Sequence, residues 1–252
     1  ISGTWLIVSD KPIVQEFLRY EFKYILSQEI RDKVEKEIGH FMNYDGYIHD
    51  ELDNAYFVRS LYFDGPNSFN FYEKIDGIKK RKKFRLRTYS REAGQSPVFI
   101  EQKGRNENRV FKYRSKIKSN KYETFLSNQS FDFLAENYDV KIVKEFLLDR
   151  VKRNISPVVL VDYVRTPYVS DYDMNFRVTF DSKIRAKSTN SLFPEDDFFF
   201  DCLSGYTILE IKFFRKIPAW FHKIILVYDL ERVSVSKFVL GMKATGVAID
   251  LS

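Results

Sequence analysis

The 252-residue chain has a single cysteine, Cys202, so no disulfide can close within it and nothing in it points to an oxidising compartment. Its three histidines, His40, His49 and His222, are widely spaced and give no zinc pattern with that cysteine. No apolar run approaches the ~20 residues that a membrane-spanning helix requires. The short run Trp5-Leu6-Ile7-Val8 lacks the length and the basic flank of a signal peptide. There is no internal repeat, no low-complexity tract and no linker long enough to divide two domains. The expectation is one domain over residues 1–252, in a reducing, cytoplasmic setting.

Hydrophobic residues make up 44% of the chain and aromatics 17%, ample for a packed core. Lysine and arginine number 41 against 35 acidic residues, a net charge of +6. That excess favours an anionic partner without identifying one, so the placement of the charges decides more than their sum.

Period-two alternation recurs between turn residues and predicts strands over Arg19–Leu26, Tyr56–Phe63, Phe69–Ile75, Lys83–Tyr89, Val98–Lys103, Arg109–Lys118, Val158–Arg165, Asn175–Asp181, Ile208–Phe213 and Arg232–Lys237. Helical spacing is confined to Glu29–Met42, to parts of Asn120–Arg153, and to a segment starting near Pro218, a good first-turn residue. The pattern is that of an α+β domain, a large antiparallel sheet covered by a few helices.

Residues two apart on a strand share a face. Sorted this way, Arg19, Glu21 and Lys23 oppose Tyr20, Phe22 and Tyr24, and Arg85 and Arg87 oppose Phe84 and Leu86. Glu101 and Lys103 oppose Ile100, while Lys112, Arg114, Lys116 and Lys118 oppose Phe111, Tyr113 and Ile117. Tyr163 and Arg165 follow; then Arg177, Thr179 and Asp181 oppose Phe176, Val178 and Phe180, and Glu210 and Lys212 oppose Leu209, Ile211 and Phe213. Any one of these faces could be the solvated side of a sheet. As a set they are rich in Lys and Arg and interrupted by single glutamates, Glu21, Glu101 and Glu210. If the sheet closes, cations this dense repel one another unless a polyanion fills the space. Arg offers forked donors to phosphate oxygens and Lys point charges. The glutamates suit a divalent metal bridging carboxylate and phosphate oxygens.

These segments, in order, resemble a known family. Arg19-Tyr20-Glu21-Phe22-Lys23-Tyr24, Val58-Arg59-Ser60-Leu61-Tyr62-Phe63-Asp64, Tyr72-Glu73-Lys74-Ile75-Asp76-Gly77 and Arg81-Lys82-Lys83-Phe84-Arg85-Leu86-Arg87-Thr88-Tyr89 come first. Tyr163-Val164-Arg165, Phe176-Arg177-Val178-Thr179-Phe180-Asp181, Leu209-Glu210-Ile211-Lys212 and Ser236-Lys237-Phe238 follow. Together they are similar to the VTC (vacuolar transporter chaperone) polyphosphate polymerase domain, in its bacterial stand-alone form, within the CYTH-like triphosphate tunnel metalloenzymes. The resemblance implies a closed antiparallel β-barrel of about eight strands, a basic tunnel for ATP and inorganic polyphosphate, and a Mn²⁺ or Mg²⁺ ion. It implies catalytic phosphate ligands at Arg85, Arg87, Arg165, Arg177 and Lys237, and phosphate-chain contacts at Lys23, Lys103, Tyr163 and Ser236, with one more from Lys112 or Lys116. Arg19 and Lys212 join them by sharing the charged face. Glu210 is the implied metal ligand, with Glu21 and Glu101 on the same faces. Arg59 and Glu73 are read as structural, and the basic run 79–83 as a solvated hairpin or a catch for the emerging chain. Eukaryotic members carry a phosphate-sensing domain and membrane helices; neither lies in these residues, which leaves a membrane-protein partner open.

The expected activity is transfer of the ATP γ-phosphate to a growing polyphosphate chain. A tripolyphosphate or nucleoside triphosphate hydrolase would need almost the same lining, and a non-catalytic polyphosphate-binding domain the same binding groups. Nucleic-acid binding is not expected, because the interspersed glutamates would repel a phosphate backbone unless metal intervened.

Overall fold

The structure, a computed structural model, describes residues 15–17, 20–45, 52, 54–107, 109–117, 122–127 and 140–250. Eleven strands form one antiparallel sheet: β1 (Gln15–Phe17), β2 (Tyr20–Ser27), β3 (Asn43–Tyr44), β4 (Tyr56–Asp64), β5 (Lys80–Thr88), β6 (Val98–Asn106), β7 (Arg109–Ile117), β8 (Ser156–Val169), β9 (Arg177–Ser188), β10 (Phe200–Asp201) and β11 (Tyr206–Phe213). Among the described residues six α-helices accompany it: α1 (Gln28–Ile38), α2 (Phe69–Ile75), α3 (Tyr122–Ser127), α4 (Val140–Arg153), α5 (Ala219–Val227) and α6 (Lys237–Ala244). None of the described helices is long and apolar enough to cross a membrane.

The alternation in the sequence becomes the two faces of this sheet. On β2, β9 and β11 the apolar set Tyr24, Leu26, Val178, Phe180, Leu209, Ile211 and Phe213, with Phe176 just before β9, turns outward and packs under Val34 and Ile38 of α1 and Phe221 and Ile224 of α5. On β4, β5, β6 and β8 the outward set Leu61, Phe63, Phe84, Leu86, Ile100 and Leu160 lies under Ile142, Val143, Phe146 and Leu147 of α4. The charged set therefore faces the other way, inward.

The expected closed barrel is corrected by the hydrogen bonds. The ladder runs β1-β7-β6-β5-β4-β8-β9-β11-β2, with β3 and β10 to the side, and no ladder joins its two ends among the described residues. The ends nevertheless converge. Lys103 on β6 reaches Glu21 on β2 at 3.1 Å, so side chains from opposite ends of the path meet across the inner face. The two end strands are also consecutive in the chain, separated only by residues 18 and 19.

Two strand expectations fail for local reasons. Phe69–Ile75 is the helix α2, because the buried Asp64 carboxylate accepts the backbone N–H groups of Gly65 (2.7 Å), Asn70 (2.9 Å) and Phe71 (3.2 Å) and starts a helix there. Arg232–Lys237 hydrogen-bonds to β2 at Lys23, the Val233 N–H donating to the Lys23 carbonyl at 2.8 Å and the Lys23 ammonium to the Val235 carbonyl at 3.2 Å, and Lys237 begins α6. That helix enters the inner side: a Cβ on Gly241 would lie 2.8 Å from Val161 Cγ2, so glycine permits the close approach. β9 outruns its expected end because a bulge at Lys183 (φ 51°) reverses its alternation, leaving Asp181 inward and Arg185 outward.

Asp64→Ala should lower stability by about 2–4 kcal/mol, since three buried donors lose one acceptor. Asp64→Asn, which keeps one carbonyl oxygen, should lose roughly half as much, as read from urea unfolding midpoints.

Candidate functional site

The inner face gathers charge in three tiers set by strand register. In the middle tier Arg85 stands opposite Glu101, and Glu101 opposite Arg114. Glu101 is 1% exposed and is met by Arg85 (2.6 Å), Arg87 (3.9 Å), Lys112 (3.1 Å) and Arg114 (3.5 Å). Burial alone would raise its pKa, but these four cations hold it well below the usual carboxylate range. Burial pushes the Lys112 ammonium down to about 7, with Glu101 opposing and Arg85, Arg87 and Arg114 adding to the shift. Arg85 donates to the Tyr62 hydroxyl at 3.0 Å, and Arg87 donates to Ser60 and Tyr163 at 3.1 Å each.

A second tier lies on β8, β9 and α6. The Arg165 guanidinium forks onto Asp181 at 2.6 and 2.8 Å, and Lys237 pairs with the same carboxylate, which has no solvent exposure. Lys237 also lies over the Tyr163 ring, 4.7 Å from its centroid. α6 thus carries a cation into the sheet at its first residue.

The third tier belongs to β2, β6 and β11. Lys23 lies 3.1 Å from Glu21 and 3.8 Å from Glu210, Lys212 lies 2.7 Å from Glu210, and Lys103 closes on Glu21. Burial works against ionisation of Glu210, yet Lys212, Lys23, Arg165 and Lys237 keep it well below its ordinary value. Beside these pairs Lys83 has no carboxylate within ion-pair distance among the described residues. Burial drives Lys83 well below the ordinary lysine value, and Lys103, Arg85, Lys23 and Lys74 add to the shift. Lys83 donates to Ser236 Oγ at 3.4 Å and lies over the Phe238 ring.

The structure brings together Lys23, Arg85, Arg87, Glu101, Lys103, Lys112, Tyr163, Arg165, Glu210, Lys212, Ser236 and Lys237, with Glu21. Arg177 and Lys116 are exposed on the same face, Arg177 in register with Lys212 and Lys116 with Phe99. Arg19 and Lys118 lie outside the described residues. Glu101 stands among its four cations, and no three acidic, histidine or cysteine side chains converge among the described residues. Glu21 and Glu210 do adjoin, both within 4 Å of Lys23 Nζ. Thr179, the register partner of Glu210, has a buried hydroxyl with no hydrogen-bond partner. Two carboxylates beside an orphaned hydroxyl are hard oxygen donors of the kind Mg²⁺ or Mn²⁺ takes, so these residues fit such an ion.

Tyr62 and Ser60 are given no site role by the sequence, Lys83 one only within the basic run 79–83, and Asp181 is placed on the charged face without one. Tyr62 and Ser60 sit in a run that reads as apolar, whereas Lys83 shares its parity with Arg85 and Arg87 and could have been found by extending their face. On the outer side Arg59 forks onto Asp162 at 2.8 and 2.9 Å, and Glu73 pairs with Arg153 at 2.8 Å, both structural positions.

The depressed carboxylate pKa values contribute stability above the ordinary carboxylate range, and it is lost as pH falls through that range towards the folded-state values. Glu101→Gln should destabilise the protein by about 3–5 kcal/mol, because four cations lose their counterion. The variant should unfold less steeply with acid than the parent and should be stabilised more by added tripolyphosphate, both measurable by thermal melts.

The family model described as "VTC domain" matches residues 18–245. No curated protein sequence matches the chain. Similar solved structures include the PH1819 protein from Pyrococcus horikoshii OT3, with 17% identity and a TM-score of 0.42 over 85% of this chain and 92% of that one. Another is the inorganic triphosphatase NE1496, with 14% identity and a TM-score of 0.33 over 90% and 97%. Both TM-scores lie below 0.5, and the family match is what an assignment rests on.

Proposed function

This chain belongs to the VTC domain family, and on that premise we propose that it is a metal-dependent polyphosphate polymerase, transferring the γ-phosphate of ATP to inorganic polyphosphate along its basic inner face. The observation that carries the reading is the surplus of cations around Lys83. Lys23, Lys74, Lys83 and Lys103 crowd one end with only Glu21 and Glu210 between them, which extends phosphate-binding capacity beyond the Arg85–Arg165–Lys237 centre.

In this reading Arg85, Arg87, Arg165, Arg177 and Lys237 contact the transferring phosphoryl group. Lys23, Lys103, Lys112, Lys116, Lys212, Tyr163 and Ser236 hold the flanking phosphates. A terminal oxygen of the acceptor chain bonds to the γ-phosphorus while its bond to the bridging β,γ-oxygen breaks, and ADP leaves with that electron pair. No protein nucleophile is required, since phosphoryl transfer depends on in-line positioning and on neutralising charge. A divalent cation, Mn²⁺ or Mg²⁺, held by Glu210 and Glu21 would add to that neutralisation when bound. Placing donor and acceptor on one charged face removes part of the entropic barrier.

Incubation with ATP, Mn²⁺ or Mg²⁺ and a short polyphosphate primer should yield long chains with little free phosphate, resolved on gels. Arg85→Ala and Glu210→Ala should each reduce turnover on the order of 10²-fold or more. Free phosphate without chains would replace this reading with hydrolysis at the same site, and tight polyphosphate binding without turnover would leave a binding domain.

A further inference from the structure

The inner face is chemically different at its two ends. Along β5 one parity reads Arg81, Lys83, Arg85, Arg87 and then Tyr89; along β6 the facing parity reads Arg105, Lys103, Glu101 and then Phe99. On β4 the inward parity ends at Tyr56, in register with Arg165. One end is therefore cationic and the other carries three aromatic rings.

Those rings form a collar. Tyr56 and Tyr89 meet edge to face at 5.7 Å, and Tyr89 and Phe99 at 6.3 Å. The Arg114 guanidinium lies 3.6 Å over Phe99 and donates to the Tyr89 hydroxyl at 3.0 Å, which fixes the collar's wall. All three rings are partly exposed, unlike the fully buried rings Phe63, Phe84 and Phe180 on the outer face. Simple packing of the sheet would bury them.

A nucleoside triphosphate has the same division, with all its charge on the phosphates and a neutral planar base at the other end. Aromatic faces suit a base, and Arg and Lys suit phosphates. Reversed, the base would strip water from Lys83 and Lys103 without replacing their hydrogen bonds. We propose that the nucleoside of the phosphate donor docks on the Tyr56–Tyr89–Phe99 collar. Its triphosphate then runs past Arg87 and Arg85 towards Lys83, and the inorganic chain occupies the cationic end. This inference rests on the triphosphate-binding reading above and adds to it the orientation of the donor and the residues that favour a nucleotide over an inorganic donor.

The test compares ATP with inorganic tripolyphosphate by calorimetry in buffer free of divalent metal. Tyr56→Leu and Tyr89→Leu should each weaken ATP about tenfold, within the ~1–3 kcal/mol that base stacking contributes, and change tripolyphosphate affinity less than about twofold. Tyr56→Phe and Tyr89→Phe, which keep the rings, should retain ATP affinity. Equal weakening of both ligands, or of neither, would overturn the proposal while leaving the phosphate site standing. If the parent protein bound neither ligand, the functional reading and the orientation would fall together. Lys83→Met, at the other end, should weaken both ligands in similar proportion; a loss confined to ATP would also overturn the orientation.

Discussion

Everything on the inner face depends on repulsion between cations that the fold forces together. Among the described residues, the ten cations Lys23, Lys83, Arg85, Arg87, Lys103, Lys112, Arg114, Arg165, Lys212 and Lys237 share that face with the four carboxylates Glu21, Glu101, Asp181 and Glu210. Each carboxylate is shared by at least two cations, and the two most enclosed, Glu101 and Asp181, are almost without solvent. Charges buried this way are stable only while the network is complete, because deleting one member strands the others. The outer face bears the opposite responsibility. Its apolar clusters under α1, α4 and α5 supply the burial that offsets the electrostatic strain inside.

The helices that matter to the site are the short ones. α2 is held by Asp64 and places Lys74 beside the cationic end, where it donates to Ser234. α6 packs through Gly241 onto Val159 and Val161 and delivers Lys237 to Asp181. The bulge at Lys183 makes both arrangements compatible. It leaves Asp181 facing Arg165 while turning Ile184 and Ala186 towards α6. In a regular strand Asp181 would lie on the opposite face from Ile184 and Ala186, whose parity differs from its own.

The strong alternation on β2, β5, β7, β9 and β11 made the two faces legible, because a pleat needs nothing beyond the sequence to sort side chains. What was not legible came from contacts across strands or from elements too short to show a period. Glu101 looks like a metal ligand in isolation, and only the register that sets it between Arg85 and Arg114 reveals a shared counterion. α2 has seven residues, rich in Phe and Tyr, so composition argued for a strand and the distinction lay in the carboxylate of Asp64. Val233 and Val235 alternate with Ser234 and Ser236 as in a strand, and the segment does run beside β2, yet α6 follows at once. Closure came from the family resemblance and not from the pattern: alternation predicts a sheet with a charged face but does not say whether the first and last strands pair, and no ladder joins them among the described residues.

The pairing pattern also bears on how two ligands of opposite charge would act on one another. Glu21 and Glu210 are engaged by Lys23, Lys103 and Lys212, so a divalent cation at the carboxylates must compete with three ammonium groups. A phosphate chain would draw the same ammonium groups away, and a cation at the carboxylates would release them towards phosphate. On the proposed function each ligand would thereby lower the cost of binding the other, and thermodynamic linkage would make the effect equal in both directions. Such coupling does not require a moving domain. It would follow from placing few carboxylates among many cations, which pair with one another across the site.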